Sequence, residues 1–124
     1  MLYQGSCHCG AITFEVEAPE QLEADRCNCS ICSKGGFLHL IVPRARFKLL
    51  SGEAAITTYT FNTGVAKHTF CKHCGIKPFY TPRSHPECID INVNCVDPVP
   101  TQVTITEFDG RNWEQNVQSL GDRV

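Results

Sequence analysis

Residues 5–16 read GSCHCGAITFEV, a stretch that joins a pair of cysteines to a strand pattern. Cys7 and Cys9 are separated by one residue, a spacing that suits two ligands of one metal ion better than a disulfide. Beyond them the apolar residues Ile12, Phe14 and Val16 alternate with other residues, which is typical of a half-buried strand. The stretch therefore predicts a pair of metal ligands at the start of a β-strand.

A second pair, Cys71 and Cys74, is followed directly by Gly75. Cys-x-x-Cys before glycine is typical of a zinc knuckle, a turn in which backbone N–H groups point at the sulfurs and glycine relieves strain. Tetrahedral zinc needs four ligands, and Cys7 and Cys9 can supply the other two. Because four thiolates leave no open position, the two pairs predict a structural zinc site.

A third group lies in RCNCSIC, residues 26–32, and consists of Cys27, Cys29 and Cys32. Three protein ligands plus an open position are the pattern of catalytic zinc. An external thiol suits the open position, because zinc favours thiolate over thiol. The spacing also allows a closed site with a fourth protein ligand. The candidates for that ligand are Cys95, the strongest, and Cys88, His39, His68 and His85.

Alternating or β-branched segments predict short strands along the rest of the chain. They lie at 11–17, 37–42, 46–52, 55–61, 65–71, 89–94 and 102–108. A turn at 62–64 predicts that 55–61 and 65–71 form a hairpin, and one helical turn is expected at 30–35. Many short strands predict an all-β domain, and we interpret residues 1–124 as one domain. Exposed strand edges offer a route to a homodimer.

The nine cysteines favour metal ligation over disulfides, because they are odd in number and tightly clustered. The N-terminal residues show no charged leader before an apolar run, so we expect no signal peptide. A net charge of −2 without a basic run argues against nucleic-acid binding. Apolar runs are too short to cross a membrane. We therefore expect a soluble, cytoplasmic protein without nucleic-acid or membrane partners.

Three segments together resemble the glutathione-dependent formaldehyde-activating family, which includes the domain of centromere protein V. They are GSCHCGAITFEV at 5–16, CNCSICSKGGF at 27–37 and FCKHCGIKPFY at 70–80, and the resemblance continues at 82–97 and 108–114. It implies an Mss4-like fold, a small domain of packed antiparallel sheets with zinc at its edge. It also implies two zinc sites. The structural site is Cys7, Cys9, Cys71 and Cys74, and the catalytic site is Cys27, Cys29 and Cys32.

The activity that this resemblance implies is addition of glutathione to formaldehyde, giving S-hydroxymethylglutathione, a reaction classed with the carbon–sulfur lyases. A small thiol and an aldehyde would then be the partners. Glutathione carries carboxylates, so a nearby basic side chain should help, and Arg83, Arg26 and Lys34 are candidates. Each also suits a solvated surface charge. The alternative function is a non-catalytic zinc-binding module for protein interaction or thiol carriage.

Two histidines and the tryptophan are expected to have packing roles. His39 and His68 lie on predicted strands, where packing is the default. Trp113 is expected to pack the C-terminal tail onto the sheet.

Overall fold

A computed structural model describes residues 1–97 and 102–123, and strands dominate it. The all-β prediction is confirmed. In the described residues the strands are β1 Leu2–Ser6, β2 Thr13–Glu17, β3 Gln21–Cys27, β4 Leu38–Pro43, β5 Phe47–Ser51, β6 Ile56–Tyr59, β7 His68–Cys71, β8 Phe79–Tyr80, β9 Cys88–Asn92, β10 Val96–Asp97 and β11 Gln102–Phe108.

Helical structure in the described residues is short. The α-helices are α1 Ser30–Gly35 and α2 Trp113–Asn116. Single 3-10 turns or short 3-10 segments lie at Arg44–Arg46, Glu53–Ala55, Val93–Cys95, Gly110–Asn112 and Val117–Arg123. None of the described helices is long and apolar enough to cross a membrane.

The described strands form two larger sheets and one two-stranded ribbon. The first sheet has the order β10-β1-β2-β5, and its neighbours are antiparallel. The second has the order β11-β3-β4-β9-β8, in which β11 runs parallel to β3 and the other pairs are antiparallel. The ribbon is the predicted hairpin of β6 and β7, with Tyr59 opposite His68.

The core lies where the inner faces of the sheets meet. Phe14 and Val16 on β2 are buried, as the alternation of that strand predicts. The Phe14 ring packs against Phe47 at 5.6 Å and against Phe79 at 5.5 Å between centroids. Each fully buried side chain of this size contributes about 1.5–3 kcal/mol. β9 is an interior strand of the second sheet and is buried along its whole length, and it contributes to the site described next.

Two candidate metal sites and an open cleft

The first cysteine cluster joins the turn after β1 to the end of β7. The sulfurs of Cys7, Cys9, Cys71 and Cys74 all lie within 4.8 Å of one another. Cys9 Sγ is 3.7 Å from Cys7 Sγ and 3.7 Å from Cys71 Sγ. A tetrahedron with zinc–sulfur bonds of about 2.3 Å places its sulfurs about 3.8 Å apart. The cluster therefore fits a four-thiolate zinc ion.

Backbone geometry at this cluster is that of metal knuckles. The N–H of Ile12 donates to Cys7 Sγ at 3.3 Å, and the N–H of His73 donates to Cys71 Sγ at 3.4 Å. Gly75 has a φ of 77° and closes the turn by donating its N–H to the Cys71 carbonyl at 2.8 Å. A side chain at that φ would be strained. Hydrogen bonds from the backbone N–H groups of Cys74 and His73 lower the pKa of Cys71, which favours the ligating thiolate.

The second cluster is built where β3 ends and α1 begins. Cys27 is the last residue of β3, and Cys29 is the N-cap of α1 in extended conformation. Cys32 lies one turn later and is the buried residue of the helix. The three sulfurs lie within 4.8 Å of one another, so the cluster could hold a zinc ion. Hydrogen bonds from Cys27 and Cys32 lower the pKa of Cys29, whereas hydrogen bonds with Cys27 and Cys29 raise that of Cys32.

The segment after β11 packs directly against this cluster. A Cβ atom on Gly110 would come within 2.3 Å of Cys27 Sγ, so only glycine fits there. Asn28 fastens the contact, because its side chain donates to Asp109 Oδ1 at 3.0 Å and accepts from the Arg111 N–H at 3.0 Å. The Arg111 guanidinium also donates to the Asn28 carbonyl at 3.0 Å. These contacts bring α2 to the rim of the site.

The proposed fourth ligands of the second cluster take different places. His39 on β4 is buried, and its Nε2 lies 3.2 Å from Cys32 Sγ. It is not part of the group whose ligand atoms lie within 4.8 Å of one another, so it contacts one sulfur rather than completing the set. Cys95 lies beside the first cluster. The pKa of Cys95 is raised to about 11, mainly by burial and further by the charges of Cys7 and Cys74.

A buried carboxylate orients His39. Asp90 on β9 is 1% exposed, and its Oδ2 accepts a hydrogen bond from His39 Nδ1 at 2.6 Å. The Tyr80 hydroxyl lies 3.4 Å from the same nitrogen. Asp90 Oδ1 is the one buried side-chain oxygen or nitrogen of the described side chains without a partner. Metal ligands are commonly supported by hydrogen-bonding partners behind them, and His39 with Asp90 would be such a support behind Cys32.

The three-cysteine cluster opens into a cleft of about 680 Å³. The cleft is lined by the three cysteines, by the rings of Tyr80, Phe61 and His68, and by side chains of the C-terminal segment. Arg83 lies across the cleft with its guanidinium 3.8 Å from the centroid of the Trp113 ring. This volume is within the range of about 300–1,000 Å³ that is usual for small-molecule sites.

The basic residues proposed from the sequence differ in their position relative to the cleft. Arg83 lines the cleft and is half-buried. Arg26 points elsewhere, forming an exposed ion pair with Glu107 at 3.2 Å. Lys34 is exposed on the last turn of α1 and is not among the cleft residues. Arg111 is a cleft residue that the sequence analysis missed, because its proximity depends on the Asn28 contacts.

Trp113 and the two strand histidines also line the cleft instead of serving as packing residues alone. Tyr80 and Asp90 join them there, and neither was singled out from the sequence. The only sequence signal for Asp90 is a charged residue between two isoleucines on a predicted strand.

The chain is similar in sequence and fold to known proteins. The sequence model of the family described as glutathione-dependent formaldehyde-activating enzyme matches residues 2–109. A Halomonas elongata protein provisionally named as a glutathione-dependent formaldehyde-activating enzyme is 30% identical over 105 residues, covering 78% of this chain and 67% of the relative. A crystal structure of a Rhodobacter sphaeroides protein matches with a TM-score of 0.73 and 35% identity, covering 83% of this chain and 99% of that one.

Proposed function

Because this chain belongs to the glutathione-dependent formaldehyde-activating family, we propose that it joins glutathione to formaldehyde in the cleft above Cys27, Cys29 and Cys32. The observation that carries the proposal is the contrast between the two clusters. Four cysteines close the first, whereas the second has three and opens into the cleft. A structural zinc site is closed by four protein ligands, whereas a site that receives a substrate thiol requires an open coordination position.

The reaction forms one carbon–sulfur bond. The glutathione sulfur adds to the carbonyl carbon, the carbon–oxygen π pair moves onto oxygen, and the thiol proton is replaced by a proton on the product hydroxyl. A zinc ion bound by Cys27, Cys29 and Cys32 would favour the thiolate form of the incoming glutathione near neutral pH. The chain itself holds the two reactants in one cleft, and such positioning is a large source of rate enhancement.

Recognition of glutathione requires cations, because the tripeptide has two carboxylates. Arg83 and Arg111 both line the cleft. The Trp113 ring supports the face of the Arg83 guanidinium, which leaves the N–H groups at its edge free to pair with a carboxylate in two parallel hydrogen bonds. We therefore propose Arg83 as the principal carboxylate anchor and assign no such role to Arg26 or Lys34.

Replacing Arg83 with alanine is expected to weaken glutathione binding about 10-fold or more, because a hydrogen bond to a charged group contributes about 1.5–3 kcal/mol. Calorimetric titration of glutathione into the zinc-loaded variant measures the change. Arg26→Ala is the matched control, since that arginine forms an exposed ion pair outside the cleft. Equal affinities for the two variants would remove Arg83 from the binding site.

Replacing Asp90 with asparagine is expected to weaken zinc binding at the second cluster about 10- to 100-fold while leaving the first unchanged. Asparagine keeps the shape of the side chain but loses the carboxylate that holds His39 against Cys32. Competition with a chromophoric chelator measures both affinities. Asp97→Asn, at an exposed position, is the control. Unchanged second-site affinity in Asp90→Asn would show that the His39–Asp90 pair does not support the metal.

Exchange NMR with ¹³C-formaldehyde and glutathione tests the proposed reaction directly. The zinc-loaded protein is expected to speed interconversion of formaldehyde and S-hydroxymethylglutathione above the rate in buffer. An unchanged rate, with zinc bound at both clusters and glutathione not retained, would support the zinc-binding module instead.

A further inference from the structure

His68 is held rigidly in the cleft wall. It begins β7, is 5% exposed and lines the cleft. Its ring is stacked between Phe61, at 5.4 Å and 23°, and Tyr80, at 4.9 Å and 14°. Two parallel neighbours fix the plane of the imidazole, so its two nitrogens point in set directions.

Lys77 fixes which ring nitrogen carries the hydrogen. Its ammonium lies 2.5 Å from His68 Nδ1 and is held over the Tyr80 ring at 3.8 Å. An ammonium group only donates, so Nδ1 accepts and the ring hydrogen of a neutral imidazole resides on Nε2. Burial, followed by the charge of Lys77, lowers the pKa of His68 to about 4. The ring is therefore neutral at physiological pH.

Nε2–H is the ring N–H that His68 can offer to the cleft, because His68 lines the cleft and Lys77 occupies Nδ1. Among the described residues, Lys77 is the hydrogen-bonding partner of His68, and it binds the other nitrogen. In the described part of the chain, the fully buried side-chain oxygen or nitrogen without a partner is Asp90 Oδ1. The unpartnered Nε2 of His68 is therefore not fully buried. A rigid, neutral donor without a protein partner is thus presented to whatever enters the cleft.

This donor and the second cysteine cluster line the same cleft. His39 contacts Cys32 Sγ at 3.2 Å, its ring lies 5.9 Å from the Tyr80 ring, and Tyr80 stacks on His68. A fixed hydrogen-bond donor at the position where negative charge develops is a strong source of catalysis, because no reorganisation is needed as the charge forms. A neutral imidazole can fill this role as an electrophile.

We infer that His68 is a catalytic residue whose Nε2–H donates to the carbonyl oxygen of the aldehyde as the glutathione sulfur adds to its carbon, and that Lys77 is the positioning residue that sets its tautomer. This inference rests on the proposed function. As the carbon–sulfur bond forms, the π pair moves onto oxygen and the imidazole stabilises the oxyanion. The thiol proton leaves to water and the product oxygen takes its proton from water, so His68 stays neutral throughout.

Two substitutions of His68 distinguish the effect of its hydrogen-bond donor from the effect of its ring packing. His68→Phe keeps an aromatic ring in the stack but has no donor, and His68→Gln keeps an N–H donor. In the zinc-loaded protein, loss of one oxyanion donor is expected to lower kcat for adduct formation about 100- to 1,000-fold in His68→Phe. His68→Gln is expected to retain more of the rate, and glutathione affinity should be unchanged in both. Lys48→Gln, at an exposed position on β5 outside the cleft, is the control.

An unchanged kcat in His68→Phe, or a loss confined to glutathione affinity, would overturn the inference and leave the proposed function standing. A wild-type protein that does not accelerate the reaction would overturn the proposed function and this inference together. ¹⁵N NMR of the wild-type histidines adds a readout that needs no variant to fold. The Nε2–H tautomer is expected for His68, and the Nδ1–H tautomer would overturn the inference.

Discussion

Replacement of Cys29 with serine is expected to remove zinc from the second cluster, leave the first cluster loaded and reduce adduct formation to the rate in buffer. Cys29 is one of the three sulfurs in the cluster, and the hydroxyl of serine is a poor substitute for a thiolate toward zinc. Because a catalytic metal supplies several kcal/mol of charge stabilisation, we expect the enzymatic rate to fall at least about 100-fold.

The Cys29 position makes this test clean. Cys29 is the N-cap of α1 and makes no side-chain capping hydrogen bond. Serine is among the preferred N-cap residues, so the substitution should preserve the helix. Zinc content by mass spectrometry under native conditions, and the rate by exchange NMR, are measured on the same sample. Full adduct formation by a Cys29→Ser protein that has lost the second zinc would show that this cluster is not the reaction site.

A control for thiol loss in general is available on β9. Cys88 is buried, and its sulfur lies outside both metal clusters. Cys88→Ala should therefore retain both zinc ions and the rate of adduct formation. A comparable loss in this variant would indicate that any buried thiol affects the reaction through stability.

The strands that the sequence reveals carry a local pattern. β2, β4 and β5 have apolar residues at alternate positions or β-branched runs, and the structure places strands there. β3 has the sequence QLEADRC, in which charged residues dominate and no β-branched residue occurs. It forms because β11 and β4 supply hydrogen-bonding partners on its two sides. Such a strand is a product of tertiary pairing and has little local signal.

The cysteine clusters were accessible from the sequence because ligands of one metal ion lie close along the chain or in a recognisable pair of turns. The other residues of the cleft could not be predicted from the sequence. Tyr80 on β8 and Asp90 on β9 come from separate strands, and only the pairing of these strands brings them together in the cleft. The alternation around Asp90 suggests a strand with one wet face, but β9 is a central strand buried on both faces. The carboxylate is consequently interior and available to His39.

The roles of His39 and His68 could not be predicted from the sequence either. His39 and His68 each lie on a strand, and neighbouring strand residues point to opposite faces. Predicting that both histidines line the cleft requires the strand register, which is set by Asp25 opposite His39 on one strand pair and by Tyr59 opposite His68 on the other. A shift of either register by one residue would turn the imidazole to the other face.

Replacement of Cys9 with serine is expected to lower the melting temperature by at least about 15 °C through loss of zinc from the first cluster. Cys9 is exposed, so the change from sulfur to oxygen disturbs little packing by itself. A structural zinc ion contributes free energy comparable with the whole stability of a small domain, about 5–15 kcal/mol. Thermal unfolding followed by circular dichroism, with zinc content measured in parallel, provides the test.

The large effect has a specific structural reason. Isolated two-stranded ribbons are marginally stable in water, and β6 and β7 form such a ribbon. Cys71, at the end of β7, links this ribbon through the first cluster to Cys9, 62 residues away in the chain. The ribbon also carries His68 into the cleft. Loss of the first zinc should therefore loosen this part of the cleft lining as well as lower the melting temperature.

Cys95→Ser is the matched control for this substitution. The same atom is exchanged beside the same cluster, but Cys95 is not part of the ligand set. Its melting temperature should fall by only a few degrees, because no metal is lost. If Cys9→Ser loses zinc and melts at the same temperature as Cys95→Ser, the first cluster does not stabilise the fold. The bridge between Lys67 and Thr81 and the stacking of His68 on Tyr80 must then hold the ribbon in place.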